Sequence, residues 1–317
     1  MSTPSKSPAP SAEHGISEFL SWRMKQGKVS STSLIITLFG DAITQHGEEI
    51  WLGSLIGMLA PLGISERLVR TAVFRLVQDD WLQSHRSGRR SYYRFSSTGH
   101  HYYERAARRI YSAGKPDWDH GWTIVIPAFV PEEHREALRK GLLWQGFGLM
   151  ATGVFAMPSG DRRALDELLS QLGIAKSVVI LDASSDETPS LETLNNLVRE
   201  RWNLNEVAEL YQSFLDTWSS IPDFLDTPKS PVDGHTEFLL RILLIHDYRR
   251  ILLRDPELPT EMLPTPWIGF ESQELTATIY KRVAGDSARW LAGNVENEWG
   301  ALPMADDSFN RRYTYSA

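Results

Sequence analysis

The chain has 317 residues, of which 42% are apolar and 23% charged, an ordinary composition for a globular protein with room for two or three domains. It contains no cysteine, which excludes a disulfide framework, a thiolate nucleophile and a cysteine-held metal. The net charge of −7 excludes a chain that is basic throughout, yet residues 30–112 hold ten arginines against seven acids, a balance of +3, while residues 1–29 carry +2 and the rest −12. A basic N-terminal third on an acidic body confines contact with a polyanion to one end.

In chain order, MSTPSKSPAPSAEHG is rich in Pro and Ser and has no apolar segment. Residues 1–28 are therefore expected to be a disordered tail and a short helix, not a signal peptide or a membrane span. A cytoplasmic protein with no membrane partner follows. Residues 30–45 read as a helix, with Leu34, Ile35, Leu38 and Ile43 close to one stripe. Residues 49–52 read as a short strand, and 53–62 as a second helix ended by Pro61 and Gly63. Ser65 stands at an N-cap position, and from there Val69, Ala72, Val73 and Leu76 fall on one side of a helix, Arg67, Arg70, Thr71, Phe74 and Gln78 on the other. After Asp79 and Asp80 the period changes to two, with a strand over 81–85, a turn at Ser87 and Gly88, and a return strand over 89–95. Helix, strand, helix, turn, helix, hairpin is the order of a winged helix-turn-helix, placed at 29–96. Phe74, on the outer face, is expected to pack beneath the hairpin.

Between Ser65 and Arg94 stand seven arginines against three acids, with no lysine. The planar guanidinium suits two-pronged contacts to guanine or phosphate. Arg67, Arg70 and Arg75, with Ser65 and Thr71, are the candidates for reading base edges in the major groove. Arg86, Arg89, Arg90 and Arg94, with Tyr92, are the candidates for holding phosphates or entering the minor groove. The competing reading of any single arginine is solvated surface charge.

Residues 97–116 read as a connector helix capped by Ser97 and Thr98. His100 and His101 on it are adjacent, about 100° apart around a helix, which argues against a shared metal. From 117 to 186 a second domain runs as strand 122–130, a helix from Pro131 to Trp144, strand 148–157, helix 161–172 and strand 176–181. That alternation predicts a small ferredoxin-like α+β sandwich, whose sheet edge or face suits self-association. Residues 187–293 read as all-helical, with helices over 190–202, 203–219, 235–253 and 273–291 and a loop over 222–231. The helix over 235–253 is the most apolar of the chain, and 294–317 reads as a polar tail.

Four segments, IWLGSLIGMLAPLGISERLVRTAVFRL, RSGRRSYYRFSSTG, GLLWQGFG and LLIHDYRRILLRDPELPTEMLP, resemble the PaaX-like transcriptional repressors of phenylacetic acid degradation, over roughly residues 28–292. The resemblance implies an α+β multidomain chain: an N-terminal winged helix-turn-helix, a central ferredoxin-like domain similar to the CRISPR protein Cas2, and an all-helical C-terminal domain. It also implies a homodimer on palindromic operator DNA, no cofactor, no enzymatic activity, and release by phenylacetyl-CoA as effector. The likeness to Cas2 raises a metal-dependent nuclease as a rival, but the strand TIVIPAFV carries no carboxylate to hold a divalent ion. An enzyme acting on an acyl-CoA is another alternative, and no Gly-x-Ser-x-Gly elbow is present to serve it. A third is a regulator of another aromatic pathway with a different acyl-CoA inducer.

An acyl-CoA site needs an apolar slot and cations for the phosphates. His246, Tyr248, Arg249, Arg250 and Arg254, followed by Trp267, are one set of candidates; Arg139, Lys140 and Trp144 are the other. The competing reading pairs Arg249 and Arg250 with Asp247, Asp255 or Glu257 and makes His246 a hydrogen-bonded core residue. Residues 102–114 are placed to transmit a ligand-induced change to the wings.

Overall fold

The computed structural model describes residues 15–26, 29–112, 118–158, 160–185, 190–226 and 232–314; the tail expected at the extreme N-terminus lies outside them. The described residues fall into two compact units. One draws on Met1–Ala113, Gln212–Arg250 and Phe270–Ala317, the other on Gly114–Tyr211 and Ile251–Gly269. No described helix is long and apolar enough to cross a membrane.

In the first unit α1 (Ile16–Lys25) precedes a winged helix. Ser30 caps α2 (Ser31–Leu38) by accepting the Ser33 N–H at 3.3 Å. The coil continues through a π turn over Phe39–Ile43 and a 3-10 turn over Thr44–His46. β1 (Glu49–Trp51) leads into α3 (Leu52–Leu59), and Gly63 at φ +73° closes the turn that follows, a conformation costly for any residue with a Cβ. Ser65 caps α4 (Glu66–Gln78), accepting the Leu68 N–H at 3.4 Å. β2 (Leu82–Ser87) and β3 (Arg90–Phe95) make the wing, in a sheet of order β1-β3-β2 with antiparallel pairs. The wing turn is Gly88 and Arg89, one residue later than the sequence pattern placed it. Leu34, Leu38, Leu55, Val69, Leu76 and Phe95 are buried in this unit; burying such a side chain stabilises by about 1.5–3 kcal/mol.

The cap of α5 (Ser97–Tyr111) is Ser96, not the following pair. Its hydroxyl accepts the Gly99 N–H at 2.9 Å, while Thr98 donates instead to Asp80 at 2.6 Å.

In the second unit β4 (Gly121–Ile126), α6 (Glu132–Trp144), β5 (Gly148–Ala151), β6 (Val154–Pro158), α7 (Arg162–Gln171) and β7 (Val179–Ser184) form a ferredoxin-like βαββαβ fold, with strand order β5-β6-β4-β7. The strand expected over 148–157 is a hairpin, turned at Gly153 with φ +73°. Both arms are apolar, so the run looks continuous in sequence. β7 starts later than expected because Ala175–Ser177 forms a 3-10 turn. Val125, Leu138, Leu142, Phe155, Leu165 and Leu169 build the core between sheet and helices.

The remaining helices are α8 (Ser190–Arg201), α9 (Leu204–Trp218), α10 (Ile221–Asp226), α11 (Gly234–Leu252) and α12 (Ile268–Asn294). The segment expected as a loop over 222–231 begins as α10; residues 227–231 lie outside the described residues. The helices of 187–293 are shared between the two units. The segment 294–317, expected as a polar tail, instead carries secondary structure and buried side chains within its described residues, 294–314. β8 (Glu296–Asn297) and β9 (Gly300–Ala301) pair as a hairpin, α13 (Asp307–Asn310) follows, and Val295, Leu302, Phe309, Arg312 and Tyr313 are buried. Its buried residues are unevenly spaced, so no periodic stripe announces them.

Candidate nucleic-acid interface

The outward face of α4 presents Arg67, Arg70, Thr71, Arg75 and Gln78, all exposed. Ser65 is spent on the cap, which fixes where this helix begins. Arg70 is held by Glu66 one turn earlier, with Nε and Nη2 at 2.8 and 2.7 Å from one carboxylate oxygen. An exposed pair of this spacing is worth about 0.3–0.5 kcal/mol, enough to align the guanidinium without locking it. The Thr71 hydroxyl donates to the Arg67 carbonyl at 2.9 Å. Phe74 does not pack beneath the wing: it is 65% exposed, and Leu68 on the same helix is 51% exposed. The inner side of the wing is already closed by Leu82 and Phe95, both buried, which leaves no place for the ring.

Strand alternation puts Arg90, Tyr92 and Arg94 on one face of the wing sheet, with Glu49, Trp51 and His85 from the neighbouring strands. Arg86 lies on the opposite face and Arg89 in the turn; both are exposed. Tyr92 departs from the expectation of a DNA contact. It is 4% exposed, with its ring stacked on His85 at 5.4 Å, and it supports the wing from within.

The C-terminal hairpin reaches this same face. Arg90 donates to Glu296 at 2.7 Å while its guanidinium lies 4.2 Å over the Trp51 ring. The two ring nitrogens of His85 face opposite carboxylates, Glu298 at 2.8 Å and Glu49 at 3.4 Å. These three side chains bring possible metal ligands within 4.8 Å of one another, but opposed ring nitrogens make a hydrogen-bonded bridge and not one coordination point. Hydrogen bonds from the Ser87 hydroxyl and then from His85 hold the Glu298 carboxyl below its ordinary range. The bond to Glu296 likewise raises Arg90.

Behind the winged helix, a buried ionic cluster ties together distant stretches of the same unit. Asp41, in the π turn, accepts from Arg241 at 2.7 Å, Tyr111 at 2.7 Å, Arg312 at 3.0 Å and Tyr280 at 3.1 Å. Burial alone would raise the Asp41 carboxyl, but the guanidiniums of Arg241 and Arg312 outweigh it and hold it below the ordinary range. Burial pushes the Tyr111 hydroxyl well above its usual value. The cluster joins the π turn that follows α2 to α5, α11, α12 and the C-terminal segment, so α5 is anchored at the end remote from the wing.

The structure separates the effector candidates by exposure. On α11, His246 is fully buried, 3.4 Å from Thr37 Oγ1, and burial pushes its imidazole down to about 4, so it is neutral. Tyr248 is buried against Phe214, and Arg249 is 9% exposed with Nη1 at 3.4 Å from Ser33 Oγ. Asp247 bonds Arg23 and Trp218, not the neighbouring arginines. Arg250 is exposed. In the second unit Trp267 is buried against Tyr211, whose hydroxyl donates to Asp255 at 2.6 Å. His246, Tyr248 and Trp267 are thus core residues and offer no open surface to a ligand. Arg254 is exposed, as are Arg139, Lys140 and Trp144 on or at the end of α6. Arg139 and Lys140 both approach Glu136, at 3.3 and 3.5 Å.

Comparison with known proteins follows the same division of the chain. The PaaX-like protein family matches residues 30–99, the PaaX central Cas2-like domain residues 115–194, and the PaaX-like C-terminal domain residues 202–293. The transcriptional repressor PaaX of Escherichia coli (strain K12) is 36% identical over 285 residues, 90% of each chain. The chain belongs to the PaaX family. Among solved structures, an uncharacterized protein from Mycobacterium tuberculosis aligns at 23% identity and a TM-score of 0.43, covering 74% of this chain and 90% of its own.

Family membership accounts for α4 and the wing, which the sequence pattern singled out. Sequence reasoning missed Glu296 and Glu298 beside the wing and the Asp41 cluster behind it. The acid pair had one available signal, the alternation Glu296, Glu298 just before Trp299 and Gly300; the cluster had none, since Asp41, Arg241 and Arg312 lie far apart in the chain.

Proposed function

We propose that this chain is a DNA-binding transcriptional repressor, with α4 in the major groove and the wing on the flanking backbone. The observation that carries the proposal is the exposed face of Arg67, Arg70, Thr71 and Arg75 beside a hairpin carrying Arg86, Arg89, Arg90 and Arg94, in a chain that follows a named repressor over 90% of its length. Arg67 and Arg70 read base edges, and Arg70 exchanges its Glu66 partner for guanine at little cost. Leu68 and Phe74, exposed on the same helix, are suited to thymine methyl groups. Arg86, Arg89, Arg90 and Arg94 hold phosphates.

The regulated genes in this proposal are those of phenylacetate catabolism, and the effector is phenylacetyl-CoA, with no further cofactor. The protein acts in the cytoplasm as a homodimer on two half-sites. Residues 29–96 are the DNA-binding module and 97–116 the connector. In the second unit Arg139, Lys140 and Arg254 are the cations offered to the CoA phosphates, with Trp144 at the end of the helix that carries Arg139 and Lys140 as the aromatic residue. The ligand favours a dimer whose wings are wrongly spaced for the operator and so lowers DNA affinity. The test is a gel-shift titration on the DNA upstream of the chain's own coding sequence and on phenylacetate promoters, with phenylacetyl-CoA, free CoA or phenylacetate added. Release by the thioester alone is the expected result; specific binding that none of the three disturbs would refute the effector, and no specific binding would refute the repressor.

A further inference from the structure

We infer that the C-terminal hairpin, through Glu296 and Glu298, is an internal anion seated on the wing where DNA phosphate would lie, and that DNA displaces it. This rests on the DNA-binding reading above. Carboxylate oxygens 2.7 Å from Arg90 and 2.8 Å from His85 occupy the donors that phosphate oxygens would otherwise take. A guanidinium stacked on Trp51 with Nη1 on Glu296 has its charge balanced and one donor occupied, so it meets a phosphate at full strength once this pair opens.

The contact is built to open. The Arg90–Glu296 pair leaves both side chains 47% exposed, and exposed ion pairs are weak and yield to salt or to a denser anion. The hairpin itself is minimal, with Glu296 paired to Ala301 and Asn297 to Gly300, and two such short strands have little stability of their own. It is steadied by the Glu296 N–H on Ser54 Oγ at 3.1 Å and by the buried Val295 and Leu302 at its base. Beyond it, Arg312 and Tyr313 are anchored in the core, so the acidic tip can lift while the segment that carries it stays in place. The device sits within a basic region and quiets it. A wing arginine neutralised inside the molecule adds nothing to indiscriminate attraction for DNA until a duplex displaces the acid.

The test uses the full chain in anisotropy titrations against a duplex from upstream of its own coding sequence and a random duplex of equal length, over a range of KCl concentrations. The Glu296→Gln/Glu298→Gln protein should bind about 3- to 10-fold tighter, with a plot of log affinity against log salt steeper by about one phosphate contact. On an Arg90→Gln background Glu296→Gln should give no gain. Backbone amides over 295–302 should lose protection from hydrogen exchange when DNA is added. Unchanged affinity and salt slope, with Arg70→Ala still weakening binding, would overturn the inference and leave the DNA-binding reading standing. Increased protection of the hairpin on DNA would also overturn it, by making the hairpin a DNA contact. Duplex affinity that Arg70→Ala does not lower in any of these proteins would refute the DNA-binding reading and the inference with it.

Discussion

Asp41→Asn is the most informative single substitution behind the winged helix. The amide is close in size and shape to the carboxylate, so the change removes a charge and leaves the packing nearly untouched. In the native chain that one carboxylate answers two buried guanidiniums, Arg241 with no exposed surface and Arg312 with 5%, and accepts hydroxyls from Tyr111 and Tyr280. Removing one partner of a buried ion pair costs about 3–5 kcal/mol, because the remaining charge stays desolvated. Here two cations are stranded, which places the expected loss at the upper end of that range. At about 2–4 °C per kcal/mol for a chain of a few hundred residues, the unfolding midpoint should fall by about 10–20 °C. The sign with pH is fixed by the direction of the shift. The folded carboxyl titrates below its ordinary value of about 3.9, so its contribution is complete above that pH and is lost as the pH falls through the folded value. The deficit of the variant against the native chain should therefore be constant from about pH 5 to 7 and shrink below about pH 4. Differential scanning calorimetry across that range reads both. A midpoint within about 2 °C of native at neutral pH would refute the claim that the carboxylate balances the buried guanidiniums.

The remaining predictions concern the interface and the effector. Arg70→Ala should cost about 1–3 kcal/mol on specific DNA and far less on a random duplex, whereas Arg89→Ala should weaken both alike and flatten the salt dependence, as read by anisotropy. Equal losses on both duplexes for both variants would remove the division between base reading and phosphate holding. Phe74→Ala should leave the thermal midpoint unchanged, because the ring is 65% exposed, and should reduce operator affinity; a fall in the midpoint would mean the ring packs in the folded chain. Arg139→Ala/Lys140→Ala, both on exposed positions of α6, should raise several-fold the phenylacetyl-CoA concentration needed to release DNA, with affinity in its absence unchanged. An unaltered release curve would exclude these two residues from the phosphate site.

Much of the fold was legible because local chemistry and tertiary structure agree. Ser30, Ser65 and Asp161 stand where α2, α4 and α7 begin, and each cap is made as its position suggests. The stripe Val69, Ala72, Val73 and Leu76 is the buried side of α4. Misreadings cluster where one apolar run serves two elements or where buried residues are isolated. The run from Gly148 to Met157 reads as one strand because both arms of the hairpin are apolar in sequence, and only the left-handed Gly153 marks the turn. The sequence does not single out Ser96 as the cap, because Ser97 and Thr98 offer the same chemistry one and two residues on, and which hydroxyl reaches the Gly99 N–H is a matter of geometry.

The candidate interface divides in the same way. Its arginines were visible because DNA contact needs a locally dense, solvent-facing charge on one helix and one hairpin, and a periodic pattern reports that directly. What faces those arginines was not visible, because Glu296 is more than two hundred residues from Arg90 and nothing in a charge pattern says which acids fold back. Composition even pointed the other way: the acidic excess of residues 113–317 reads as a body held off the DNA by repulsion. Two of those acids instead meet the wing directly, at hydrogen-bonding distance from Arg90 and His85. Tyr92 shows the same limit at shorter range. Period two assigns it correctly to the face of Arg90 and Arg94, but that face carries the His85 ring against it, and a tyrosine stacked under a ring that bridges two carboxylates supports the wing instead of meeting a duplex.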